Sequence, residues 1–166
     1  MRQKVMIPKE VDNIIFRPIG IIHSPYKTKE ETPCQGYRSH EEGEVEVFEE
    51  FEEGLADLDG FSHIILLYLF HKSDSYSLKV KPFLDDSLRG LFATRHPRRP
   101  NPIGLSVVKL LSRRKNILRI AEIDALDGTP LLDIKPYVPQ FDQREEVKVG
   151  WLEGKRINYP ERSCRH

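Results

Sequence analysis

Cysteine is scarce in this 166-residue chain. Cys34 and Cys164 stand apart, in neither a CxxC pair nor a zinc-type spacing. That argues against a disulfide framework and for free thiols in a reducing cytosol. Long apolar runs are missing too. The longest, residues 64–70, falls well short of the ~20 residues a membrane helix needs, so no membrane partner is expected. The opening MRQKVMIPKEVDN has no continuous apolar segment and no small-residue cleavage site, so no secretory signal is expected and the chain is read as cytoplasmic. GxG never occurs, which removes the Rossmann dinucleotide fingerprint. GWLEGKR is too short for a phosphate-binding loop and lacks its Ser or Thr, and GLSVV is not the GxSxG elbow of hydrolases. Net charge is also absent, with 26 basic and 26 acidic side chains.

The balance is only global. Residues 41–60 hold ten acidic side chains and no basic one, whereas residues 89–119 hold nine basic ones and no acidic one. Such a split points to a polyanionic partner for one face, or to acidic and basic faces that simply pair. Hydrophobic content of 39% and charged content of 31% suit a folded, soluble domain.

Most of the chain has the texture of short strands. IIFRPIGIIHSPY is rich in β-branched residues and ends on Ser-Pro, and GEVEVF alternates acidic and apolar side chains. HIILLYLFH is expected as a central strand buried on both faces. GLFATR is expected as a strand entering a proline loop, and FEEGLADLDGF as a short helix or helical turn. IGLSVVKLL and NILRIAEIDAL flank a hairpin turn in SRRKN; TPLLDIKPY follows a turn at Asp127-Gly128, and EVKVGWL is a candidate last strand. No stretch keeps a long 3.6-residue period. The fold class expected is mainly β: a small single-domain barrel with one or two short helices. Residues 1–13 read as an N-terminal extension, 14–145 as the barrel domain, and 146–166 as a C-terminal strand and basic tail.

FATRHPRRPNPIG concentrates Arg95, Arg98 and Arg99 among three prolines. Proline fixes its own backbone angle and drives the preceding residue to extended shapes, so this loop is preordered and loses little entropy when it grips an anion. The same stiffness would also suit a merely solvated loop. His63 and His71 bracket the apolar strand at even spacing, but two histidines do not complete a ligand set, and no metal is expected. Asp124, Asp127 and Asp133 crowd a turn, where aspartates commonly close the backbone on themselves.

Four stretches in order, IGIIHSPYK, LDGFSHIILLYLFH, FATRHPRRPNPIG and DALDGTPLLDIKPYVPQFD, resemble the TrmO (TsaA-like) family of tRNA methyltransferases over residues 16–142. The resemblance implies a β-barrel methyltransferase that works as a homodimer with S-adenosylmethionine, acting on N6 of threonylcarbamoyladenosine at position 37 beside the tRNA anticodon. Carried over by position, it implies cofactor contacts from Gln35, Gly36, Tyr37, His71, Lys72, Arg95, Leu105, Leu126, Asp127, Gly128, Thr129 and Pro130. Bacterial members carry a further C-terminal domain, and the present sequence resembles the short form without it. Methyl transfer from a sulfonium is an in-line displacement in which positioning supplies much of the acceleration. Asn101, Asp133 and Tyr137 are the polar candidates near the reacting nitrogen. Arg98, Arg99, Arg113, Arg114 and Lys115 are the candidates for phosphates of the anticodon arm. The competing readings are a barrel that binds RNA or senses the cofactor without catalysis, and the same chemistry on a small molecule.

Overall fold

The computed structural model describes residues 14–33 and 39–155. Six strands close into an antiparallel barrel in the order β1-β2-β7-β6-β3-β8: β1 is Gly20–His23, β2 Glu42–Val47, β3 His63–Leu69, β6 Ile103–Arg114, β7 Ile117–Ala121 and β8 Thr129–Pro136. A separate two-stranded ladder, β4 (Lys79–Val80) and β5 (Arg89–Gly90), lies in the excursion between β3 and β6. One short helix, α1, spans Pro139–Asp142. No helix among the described residues is long and apolar enough to cross a membrane.

The alternation in sequence becomes the two faces of the wall. In β6, Gly104, Ser106, Val108 and Leu110 point inward while Leu105, Val107 and Lys109 point out. Ile22, Val45, Ile64, Leu66, Leu118, Ile120 and Leu131 fill the interior with essentially no exposure. Burial of each such side chain contributes about 1.5–3 kcal/mol. The hairpin in SRRKN turns at Lys115 and Asn116, since Arg114 still pairs with Ile117. Asn116 closes the far end of the barrel, donating from Nδ2 to the Val47 carbonyl at 2.7 Å and accepting from Val47 N at 2.9 Å.

Several sequence expectations are corrected. β3 is buried on one face only, because a barrel wall has a single interior and no helix layer covers the other side. Its outer Ile65, Leu67 and Leu69 pair in register with Val107, Leu105 and Ile103, which makes an apolar stripe on the outside of the wall. The expected strand in GLFATR is a two-residue bridge at Arg89–Gly90 followed by a 3₁₀ turn over Leu91–Ala93, with Leu91 fully buried. EVKVGWL forms no strand; it ends in a 3₁₀ turn, Gly150–Leu152, stapled to the 3₁₀ turn after β5 by a hydrogen bond from Trp151 Nε1 to the Ala93 carbonyl. Only Gly20–His23 of the first expected strand pairs, and Ile14 to Phe16 are exposed. FEEGLADLDGF, by contrast, is helical as expected and falls in two 3₁₀ segments, Glu49–Leu55 and Leu58–Gly60.

Strand β7 stops at Ala121 because Glu122 adopts a left-handed backbone, φ 67°. The chain then crosses the open end of the barrel. Ile123 and Ala125 plug it, Ser24 Oγ donates to the Ala125 carbonyl at 2.7 Å, and Asp124 and Leu126 are left facing outward into a cleft.

Candidate functional site

That cleft sits at the barrel end where β3 leaves and β6 enters. It has a volume of about 360 Å³, within the ~300–1,000 Å³ typical of small-ligand sites. Three segments converge on it. The turn after β3 brings Phe70, His71 and Lys72; the proline loop brings Arg95, Arg98 and Arg99; the plug brings Asp124, Leu126 and Thr129.

The floor is a chain of hydroxyls. Tyr68 Oη lies 2.9 Å from Ser106 Oγ, and Ser106 Oγ donates to Asp124 Oδ1. Burial, and then the nearby Asp124 charge, push the Tyr68 phenol well above its ordinary value, so it stays protonated as a donor. Gly104 is what admits the Tyr68 ring: a Cβ there would meet ring carbon Cε2 at 2.2 Å. Asp124 is the one carboxylate among the lining residues, against the cations Lys29, Lys72, Arg95, Arg98 and Arg99. His71 stands 3.4 Å from Thr129 Oγ1, and its pKa is lowered by burial and by Lys72. At neutral pH its imidazole is therefore uncharged.

The two neighbouring arginines do different work. Arg99 Nη1 turns into its own loop and donates to the carbonyls of Thr94 at 2.9 Å, His96 at 3.3 Å and Leu91 at 3.4 Å. Arg95 and Arg98 are exposed, and neither guanidinium has a hydrogen-bond partner among the described residues. Across the cleft, Asp127 is fixed by Lys27 Nζ and by Ser24 N at 3.1 Å. Lys27 first, and then the Ser24 amide, hold its carboxyl below the usual aspartate range.

Of the residues expected at the cofactor, His71, Lys72, Arg95, Leu105, Leu126 and Thr129 line the cleft together. Asp127 and Gly128 form the adjoining turn, with Gly128 at φ 75° in the backbone conformation that glycine takes without strain, and Pro130 follows in β8. Gln35, Gly36 and Tyr37 lie outside the described residues. The three expected catalytic groups are not brought together. Asn101 is exposed in the proline loop, next to the cleft. Asp133 pairs with Lys135 at 2.7 Å and lines a separate groove with Ile19 and Phe51. Tyr137 packs edge-on to His63 at the other end of β3. Arg113, Arg114 and Lys115 are also at that far end, a strand length of about 35 Å from the proline loop. In the sequence Asp124 has the look of a turn residue, and no motif there singles out the Tyr68 and Ser106 hydroxyls. Inward spacing from Gly104 to Ser106 was the signal available.

The charge split resolves in the same geometry. Arg113 pairs with Asp59 at 2.9 Å and Arg119 pairs with Glu42, each joining the basic stretch to the acidic one across the barrel wall. The cations around the cleft are not neutralised in this way. The arrangement suits a small amphiphile with an anionic group at Arg95 and an apolar body against Leu105 and Leu126.

Fold and cleft together define a class: a small closed antiparallel barrel with a cation-lined cleft at one end. Residues 21–143 match the family model of the tRNA-methyltransferase O N-terminal domain, and the chain belongs to that family. A probable S-adenosyl-L-methionine-binding protein of Pyrococcus abyssi is 59% identical over 141 residues, covering 84% of this chain and 77% of the relative. The human tRNA (adenine(37)-N6)-methyltransferase is 36% identical over 146 residues, covering 83% of this chain and 33% of the relative. The crystal structure of TrmO from Pseudomonas aeruginosa superposes with a TM-score of 0.74 at 37% identity, covering 89% of this chain and 66% of that one. The chain thus spans about two thirds of the bacterial protein and a third of the human one.

Proposed function

We propose that the chain is an S-adenosylmethionine-dependent methyltransferase acting on N6 of threonylcarbamoyladenosine at position 37 of tRNA. The observation that carries this reading is the cleft itself: it lies within the segment that matches the family, and its lining suits the cofactor's parts. Arg95 is free among the described residues to take the carboxylate through paired charge-assisted bonds. Leu105 and Leu126 offer an apolar wall, and the turn at Asp127 and Gly128, which leads into Thr129 and Pro130 of β8, offers a fixed carboxylate. The cofactor, when bound, supplies an activated methyl group on a sulfonium.

The protein's remaining task is to place the acceptor nitrogen and accept its proton. Asp124 lines the cleft and is oriented for that role by the Ser106 hydroxyl, and Asn101 is exposed on the proline loop. Arg98, exposed at the rim, is placed for the phosphate next to the target base. Arg99 serves the loop's own carbonyls first. Arg113, Arg114 and Lys115, at the other end of the barrel, would meet a different part of the anticodon arm, with Arg113 exchanging Asp59 for phosphate.

A homodimer accompanies this reading. The outer stripe of β3 and β6 leaves Leu105 51% exposed and Ile103 37% exposed, both at the lip of the cleft. A second copy covering the stripe would bury it and deepen the cleft.

The test is transfer of labelled methyl from S-adenosylmethionine to tRNA with and without threonylcarbamoyladenosine. Label on the modified tRNA alone is the expected result. Cofactor binding without label would point to another acceptor, and neither binding nor label would refute the reading.

A further inference from the structure

We infer that Trp151 and Arg99 are positioning residues that set the place of Arg95. The inference rests on the reading of Arg95 as the cofactor's anion contact. Arg95 follows the 3₁₀ turn Leu91–Ala93, a segment with no strand partner to hold it. Four of the six carbonyls of residues 91–96 are instead taken by two side chains from outside that segment. Arg99 Nη1 reaches those of Leu91, Thr94 and His96, and Trp151 Nε1 reaches that of Ala93 at 2.8 Å.

Both clamps are themselves secured. The Arg99 guanidinium lies over the Phe92 ring, 5.6 Å from its centroid. The Trp151 ring carries Arg89 at 5.7 Å and Lys155 at 5.8 Å. Those two cations converge on Asp85: Arg89 Nε donates to Oδ2 at 2.7 Å and Lys155 Nζ approaches Oδ1 at 3.1 Å. Lys155 also donates to the Leu84 carbonyl at 3.1 Å. The segment 150–155 is therefore coupled to the Arg95 turn through one indole N–H, and to Leu84 and Asp85, earlier in the same excursion between β3 and β6, through Lys155. An aromatic ring without the N–H would keep the two cation contacts and lose the bond to Ala93. An unfixed turn leaves Arg95 to be ordered when the ligand arrives, a cost that appears in affinity.

The experiment is a double-mutant cycle read by S-adenosylmethionine titration. It uses the wild-type chain, Trp151→Phe, Arg95→Ala and the double variant, with thermal melts of each. Trp151→Phe should raise Kd about three- to tenfold, the size of one lost hydrogen bond. In the Arg95→Ala background it should add almost nothing, because the contact it serves is gone. Arg99→Lys, run in the same cycle, gives an independent reading if Trp151→Phe lowers the melting temperature. Additive losses in both cycles would overturn the inference, since a general loosening of the fold would act with or without Arg95. So would an Arg95→Ala variant that binds as well as wild type. A wild-type chain that takes up no cofactor would refute the cofactor reading and this inference with it; normal wild-type binding with additive losses would refute this inference alone.

Discussion

Gly104→Ala tests whether the cleft floor is built as described. A methyl group at this position would lie 2.2 Å from Tyr68 Cε2, 2.6 Å from Cζ and 2.8 Å from Cδ2. Ordinary carbon contacts are about 3.5–4.0 Å, so the ring must retreat by more than an ångström. It has little room. Tyr68 is 3% exposed, its hydroxyl is bonded to Ser106, and Phe70 packs edge-on against it with centroids 5.5 Å apart. Overpacking of this kind costs about 1–3 kcal/mol. For a domain of this size each kcal/mol lowers Tm by about 2–4 °C, so the expected fall is roughly 2–12 °C in a calorimetric or circular-dichroism melt. Affinity for S-adenosylmethionine should fall in parallel, because the displaced ring carries Ser106 and Asp124 with it. Gly90→Ala is the matched control, as nothing lies within 4 Å of where its methyl group would sit and the change should be within about 0.5 kcal/mol of neutral. Tyr68→Leu combined with Gly104→Ala should lose less than the sum of the single changes. A Gly104→Ala protein that melts and binds like wild type would refute the reasoning.

Asp124→Asn keeps the shape of the floor and removes its carboxylate; kcat should fall by two orders of magnitude or more with cofactor Kd nearly unchanged, as expected for loss of a proton acceptor of about 10²–10⁴-fold effect, measured by single-turnover methyl transfer. Arg98→Glu should weaken tRNA binding and flatten the dependence of log K on log salt by about one unit in filter-binding titrations, whereas Arg99→Glu should lower Tm as well because it strips the loop of its donor. The Asp85 carboxyl is held at about 2 by its bonds to Arg89 and, after that, Lys155. A carboxyl depressed in the folded state stabilises above its unfolded value of about 3.9 and loses that contribution as pH falls through the folded one. The fluorescence of the single tryptophan should therefore hold from neutral pH to about 4 and change as pH drops toward 2 if the Asp85 anchor is what holds Trp151 in place.

Strand-by-strand patterning carried much of the fold in the sequence. Alternation in GEVEVF and IGLSVVKLL located two strands and the side of each that faces inward, because a pleated wall with one dry face imposes that period. HIILLYLFH was misjudged because its outward Ile65, Leu67 and Leu69 are apolar as well, and composition cannot separate a strand buried between layers from a wall with an apolar outer stripe. GLFATR was misjudged because the 3₁₀ turn depends on Arg99, Trp151 and a buried Leu91, all decided by tertiary structure. The site was legible in its segments and less so in its roles. Arg98 and Arg99 are identical and adjacent, yet one faces solvent and the other its own backbone. Asp124 became a cleft residue only because Glu122 turns the chain across the barrel mouth.

The closing seam sets an order of assembly. β1 pairs with β8 through Gly20, Ile21 and Ile22 against Leu131, Pro130 and Thr129, partners more than a hundred residues apart in the chain. Strand β3 also waits for β8 on one side. During synthesis from the N-terminus, both strands expose unpaired edges until the last strand has emerged, and edges of that kind invite pairing with other chains. The turn that begins this last strand is the same one that borders the cleft. A growing chain therefore acquires its barrel closure and its cleft in a single late event, and has neither beforehand.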